Sequence, residues 1–469
     1  MPELPATCEL WIDGVRYPDG STGADPAEPF AVTGLTVHWG RDNTIDQPPP
    51  ATCTFTVLDP PGGQVRFDDT VLLGSAVVVW SAVAGRRVVV FGGRVTDLTA
   101  RWDAAAGGAS CDVIAADLLA DLANRFVGAE PWAAQTLAAR AQRILAAAGV
   151  STAGLTVATR PAGLTVSRLD VDRQAAAALL LELAVTGGAV LWSAYDPALA
   201  APYLFYEDPA NRASLYSLEQ DPVGLLWAPA GSGGAGTGLS ACDVLRDPVT
   251  WARAVTDLLT RVAVRWLDQA TTPGTTERSV TVLDTAAEDT FGARALSVST
   301  LLTSAADAST LASGLLAGHQ PSPSWRTAGL AWDLADTTDP TRPATIDLAA
   351  ALLDGKARLG LPVALHDLPE WTPTAAAVSL YVEGGDYRFD QGRWVLALAA
   401  SPATGLGGSM SFDTFNRSVR YVDMDRGVSY LDLIGVGPTV GHGPDWADIP
   451  AAITWASVPP GDDWNDDPR

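Results

Sequence analysis

The chain has 469 residues, of which 47% are hydrophobic and 18% charged, and a formal net charge of −24. At roughly 100–200 residues per domain this suggests about three domains, each able to bury a core. The acidic excess, with no basic run longer than Arg86-Arg87, argues against a protein that grips nucleic acid, because phosphate binding needs a basic face to displace counterions.

In chain order, the first 115 residues read as β. Residues 9–17 form a hairpin turning at Asp13-Gly14, a pair suited to the positive φ of a type I′ turn. Leu35, Val37 and Trp39 alternate with polar neighbours, as do Cys53, Phe55 and Val57; this period of two buries one face of a strand. Longer strand regions follow at 71–83 and 87–102, with a last one at 110–115. Helical spacing then predicts helices over 117–126, 131–148 and 173–186. Pro131 suits a first helical turn, and Gly149 and Gly187-Gly188 suit helix ends. A strand pair at 189–195 and 203–206 completes an α/β middle region.

Residues 207–250 are loop-rich. Strand patterns return at 259–266, 279–283, 328–334, 361–366, 377–387 and 394–399, with a helix over 305–317. The reading is a mainly β chain with an α/β middle region, divided as 1–115 (first β-barrel), 116–250 (α/β middle domain), 251–405 (second β-barrel with an inserted helix) and 406–469 (C-terminal extension).

Two β segments share a pattern. Val71, Gly92-Gly93 and Trp102 recur as Val363, Gly384-Gly385 and Trp394, with spacings of 21 and 10 residues in both. Paired glycines inside strands mark bulges or barrel corners. Gly92, Gly93, Gly384 and Gly385 are therefore the candidate structural positions of two related small barrels.

Chemistry-bearing motifs are scarce. Cys8, Cys53, Cys111 and Cys242 are far apart, without a Cys-x-x-Cys pair. His38, His319, His366 and His442 form no helical metal pair. Lys356, the only lysine, lacks a phosphate-binding loop. The glycine run from Gly231 to Gly236 follows Pro229 and precedes a strand pattern, so it reads as a loop and not a dinucleotide site. Nothing singles out two of the 54 acidic residues as a hydrolase pair. No catalytic residue, cofactor or metal is expected. The N-terminus lacks the basic and apolar regions of a signal peptide, and no run of about 18 apolar residues suggests a membrane span. The acidic C-terminal segment carries Trp455 and Trp464, which suit docking on a neighbouring chain, since Trp anchors interfaces.

Three stretches resemble minor tail proteins of long-tailed actinobacteriophages. The first runs from Leu179 through Glu182 and Gly187-Gly188 to Trp192 and Tyr206. The second runs from Leu259 to Trp266, after Asp243 and Asp247. The third holds Leu359, Pro362, Pro369, Tyr381, Gly384, Trp394 and Ser401-Pro402. The Trp-rich end with Trp455 and Trp464 is similar to theirs as well. The resemblance extends to the hub domain of tail-associated lysins and to baseplate hubs. It implies a non-enzymatic tail-tip hub: a homotrimer with two related barrels per subunit, forming a pseudo-sixfold ring in the virion around the DNA channel. The implied partners are the distal tail protein, the tail tube, the tape measure protein and other minor tail proteins or fibres, with genomic DNA passing through unbound. No peptidase or muramidase domain is expected after the hub-like region. The alternatives are a hexameric distal tail protein and a tip protein that binds or hydrolyses cell wall.

Overall fold

The computed structural model of the chain describes residues 6–17, 31–41, 46–59, 73–83, 86–103, 108–128, 131–152, 155–158, 164–196, 201–207, 223–226, 242–243, 250–252, 258–268, 276–319, 326–333, 359, 362–366, 378–390 and 393–402. The chain divides after Leu406 into two units, and all described residues belong to the first. Trp455, Trp464, the glycine run at 231–236 and the C-terminal extension lie outside the described residues.

The first β half is built from seven strands: β1 (Ala6–Ile12), β2 (Val15–Tyr17), β3 (Ala31–Gly40), β4 (Thr52–Asp59), β5 (Ala76–Val83), β6 (Arg86–Asp103) and β7 (Gly108–Ala116). Their order across the sheet is β3-β4-β7-β6-β5-β1-β2. Asp13 and Gly14 take positive φ of 47° and 82° at the β1–β2 turn, as the type I′ turn requires. The alternating residues Leu35, Val37, Trp39, Cys53, Phe55, Val57, Val77 and Val79 are buried on one face.

The middle region contains α1 (Leu118–Ala123), α2 (Leu137–Ala147), β8 (Thr156–Ala158), α3 (Ala176–Thr186), β9 (Val190–Asp196) and β10 (Ala201–Glu207). The helix expected over 131–148 begins only at Leu137. Pro131–Trp132 and Gln135–Thr136 instead pair with Leu169–Asp170 and Thr165–Val166. Thr136 caps the shortened helix, its hydroxyl accepting from the Ala139 N–H at 3.3 Å; a hydroxyl at the cap satisfies one of the first-turn donors that have no partner within the helix. Arg140, fully buried, donates to the carbonyls of Ala133 and Ser167 at 2.9 Å each. It also lies with Arg143 against the Trp132 ring, at 5.5 and 5.2 Å from its centroid.

Next come β11 (Val223–Leu226), β12 (Cys242–Asp243) and β13 (Thr250–Ala252). They are followed by an insert of β14 (Arg261–Asp268), β15 (Thr276–Leu283), α4 (Thr285–Phe291), β16 (Ala295–Ser299) and α5 (Ala305–Gly318). The chain returns with β17 (Arg326–Asp333), β18 (Pro362–His366), β19 (Val378–Asp390) and β20 (Arg393–Pro402). Helix α4 and strand β16 carry too short a periodic pattern to be read from sequence.

The insert does not pack as part of the second β half. Leu259, Val262, Val264, Trp266, Leu301, Leu302, Ala308, Ala312 and Leu316 join one apolar core with α1, α2, α3 and β9. A boundary at residue 250 thus separates segments that share a core, and the strands of the second half begin before 251, at Val223.

The second half has the order β13-β17-β20-β19-β18-β11-β12. Matched strand for strand with the first half, the seven-strand path is the same. The neighbours β3–β4, β4–β7, β7–β6 and β6–β5 are antiparallel, and so are β13–β17, β17–β20, β20–β19 and β19–β18. The orientation departs only at the far end, where β11 runs parallel to β18 and to β12 while β1 runs antiparallel to β5 and to β2. The fold is mainly β, with two related β halves and an inserted α+β region.

Candidate functional site at the seam between the two sheet halves

The halves join edge to edge into one 14-stranded sheet through β19 and β3. Strand β19 pairs first with β18, ending at Tyr381↔Pro362. It bulges against β20 at Glu383 and then pairs antiparallel with β3 from Gly384↔Gly40 to Phe389↔Leu35. A bulge locally raises twist and re-aims a strand, which lets one strand serve two neighbours along a single edge.

The bulge carries a buried polar cluster. The Arg41 Nε donates to Glu383 Oε2 at 2.8 Å, with both side chains at most 3% exposed. Ser401 Oγ donates to Glu383 Oε1 at 2.5 Å, and Arg41 Nη1 donates to the Asp46 carbonyl at 2.9 Å. The Arg41 backbone N–H donates to the Glu383 carbonyl at 2.8 Å. A buried charge is tolerated only when paired and hydrogen-bonded, and here the pair spans the two halves. Outside it, His38 and Asp386 are linked at 2.8 Å, and the hydrogen bond from His38 holds the Asp386 carboxyl below its ordinary range. Inside, Trp39 and Tyr387 stack at 5.8 Å.

Glycine is required where the strands cross. Gly40 has φ of 78°, and a Cβ there would overlap the Glu383 carbonyl and the Gly384 Cα. A Cβ on Gly384 would lie 2.6 Å from the Trp39 carbonyl oxygen and 2.7 Å from the Arg41 nitrogen. Gly385 abuts the Ala397 carbonyl. Gly384 and Gly385 thus stand at the seam.

Gly92 and Gly93 stand elsewhere. A Cβ on Gly92 would overlap the Tyr195 ring, and one on Gly93 the Ala116 carbonyl. Both glycines line a cavity of about 260 Å³ between the first half and the middle region, with Asp117, Asp121, Arg125 and Tyr195. Asp117 ties the two together. Its carboxylate accepts from the N–H groups of Ala51 and Leu119, at 3.0 Å each, and from the Ser193 hydroxyl. Burial pushes this carboxyl up to about 6.

The bulges define how the halves correspond. Strand β6 leaves β5 at Arg94↔Ala76, bulges against β7 at Thr96 and runs on to Asp103. Strand β19 leaves β18 at Tyr381, bulges at Glu383 and runs on to Asp390. Thr96 therefore matches Glu383, and Asp97 matches Gly384. The equal spacings in the sequence matched Gly92 with Gly384, five residues away from the correspondence the ladders give. The seam residues Gly40, Arg41 and Glu383 carry no motif; the one signal was a carboxylate of inward parity between Val382 and the glycine pair.

Among the described residues no group of three His, Cys, Asp or Glu side chains is placed to hold a metal ion, and no helix is long and apolar enough to cross a membrane.

No family model matches the chain, and no curated protein matches it. Solved structures do. The 43 kDa tail protein of prophage MuSo2 from Shewanella oneidensis aligns with a TM-score of 0.53 at 15% identity, over 85% of this chain and 99% of its own. A tail protein from Neisseria meningitidis MC58 aligns with a TM-score of 0.52 at 11% identity, over 86% of this chain and 98% of its own. The chain has the fold of these tail proteins.

Proposed function

We propose that the protein is a non-enzymatic structural hub of a phage tail tip, assembling as a trimer whose paired β halves form a pseudo-sixfold ring around the DNA channel. The observation that carries this reading is the repeated seven-strand path. A subunit holding two like halves presents six like units when three copies close, which suits a junction between a sixfold tube and a threefold tip. The tail-protein fold supports a place in the virion, and the resemblance in sequence narrows it to the tail tip of long-tailed actinobacteriophages. The distal tail protein and tail tube are the neighbours on one side; the tape measure protein, other minor tail proteins and fibres are the remaining partners. Gly92, Gly93, Gly384 and Gly385 act as structural positions where strands or domains meet closely, and Trp455 and Trp464 dock on another chain. The charge of −24 keeps DNA from adhering as it passes, since like charge gives no counterion-release binding.

Native mass spectrometry or light scattering across a concentration series tests the reading. A species near three times 48.8 kDa is expected. A hexamer would point to a distal tail protein instead. A monomer that releases fragments from purified cell wall would point to a hydrolytic tip protein.

A further inference from the structure

The seam within the chain has an unused counterpart. The stretch of β19 beyond its bulge, 384–390, is covered by β3. The matching stretch of β6, 97–103, pairs on one side with β7 and with no other strand among the described residues. The strand that matches β3 is β13, which pairs only with β17 among the described residues. Among the described residues, each chain therefore carries one joined edge pair and one separated pair of the same kind.

The side chains agree. Phe389 and Tyr387, on the inner face of the joined stretch, are 4% and 0% exposed. The position matching Phe389 is Trp102, which is 70% exposed; Leu98, Ala100 and Trp102 continue the face that buries Val113 and Cys111. An aromatic on an open sheet edge is a liability that native proteins cover or blunt.

We infer that the edge of β6 over 97–103 docks antiparallel on β13 of a second copy of this chain, repeating between subunits the β19–β3 seam found within one. The ladders fix the register. Asp386↔His38, Tyr387↔Val37 and Arg388↔Thr36 become Thr99 with Ala252, Ala100 with Trp251 and Arg101 with Thr250 across the interface. The inner pair exchanges its sizes: Tyr387 against Val37 within the chain, Ala100 against Trp251 between chains. Such a contact is head-to-tail, so it closes a ring only if the rotation permits. Alternation with the internal seam supplies that rotation if both seams bend alike. The inference rests on the trimeric reading above and specifies its interface.

The test is cysteine cross-linking on the full chain. Thr99→Cys with Ala252→Cys places two sulfurs on directly opposed residues, within disulfide reach. Mild oxidation is expected to give a covalent ladder up to the trimer, with none from either single variant. Asp97→Cys with Ala252→Cys, two residues out of register on the same face, is expected to cross-link poorly. Separately, Trp102→Asp is expected to weaken trimerisation at least about tenfold, as loss of a buried Trp anchor does, while leaving the circular dichroism melt of the subunit unchanged. A trimer in native mass that gives no cross-link, or cross-links best out of register, overturns this pairing and leaves the hub reading standing. A protein that stays monomeric at every concentration overturns both.

Discussion

Removing Arg41 from the seam is expected to expose how much of the fold depends on one pair. In Arg41→Met the Glu383 carboxylate keeps the Ser401 hydroxyl at 2.5 Å but loses the guanidinium at 2.8 Å, in surroundings where its side chain is 2% exposed. Breaking a buried pair from one side costs roughly 3–5 kcal/mol, because the remaining charge is uncompensated. Against a total of about 5–15 kcal/mol for a native domain, that is a large share. The triple variant Arg41→Met, Glu383→Leu, Ser401→Ala removes both charges and the hydroxyl together, leaving the Asp46 carbonyl without its Arg41 donor, and is expected to recover most of the loss, to within about 1–2 kcal/mol of the wild type. Urea unfolding followed by tryptophan fluorescence measures both, the midpoint shifting at constant slope. The reasoning is refuted if the single variant costs under about 1 kcal/mol, or if the triple variant is no more stable than the single one.

Asp117 gives a pH signature. Its carboxyl is raised from 3.8 to about 6, so the folded state holds a proton the unfolded state has released. Its contribution is fully present below the unfolded value and is lost as pH rises through about 6, a change on the order of 3 kcal/mol for a group this buried. The stability of the wild type relative to Asp117→Asn should therefore fall from pH 4 to pH 6.5 and then level off; a flat difference would remove the assignment. Asp386 has the opposite sign, its pairing with His38 giving stability that fades as pH falls, and its partial exposure keeps that effect small. The two glycines of the cavity separate by what they meet. Gly92→Ala should be destabilised and relieved more by Tyr195→Gly than by Tyr195→Ala, since the Tyr195 Cβ, 2.6 Å away, obstructs it along with the ring. Gly93→Ala should be destabilised without rescue, since its obstacle is the Ala116 backbone; thermal melts of the single and combined variants decide it.

Local signals were legible in the sequence and distant ones were not. Leu35, Val37 and Trp39 announce β3 by their period, and Asp13-Gly14 announces its turn, because both depend on adjacent residues. The Arg41–Glu383 pair spans 342 positions, and a charge in a strand reads as solvated until its partner is seen. Pro131 fits a helix start equally well as a bridge to Asp170, and only the fold chooses. The spacing match between Gly92 and Gly384 misplaced the correspondence because each bulge and turn adds residues that ladders absorb but counting does not. The shared core of the insert and α3 was hidden for the same reason: Leu180 and Leu316 are both buried in it, and neither sequence neighbourhood names the other.

That shared core bears on how the chain is made. On a ribosome adding about 5–20 residues per second, Leu316 emerges on the order of ten seconds after Leu204. For that interval α3 and β9 lack the partners that complete their apolar face. The first β half, whose strands all lie before residue 117, can close by then, whereas β13 must wait for β17 on the far side of the insert. Synthesis thus delivers the subunit in an enforced order, one half finished well before the middle region and the other last. A truncated nascent chain ending between Glu207 and Thr260 would be the form most prone to capture by chaperones.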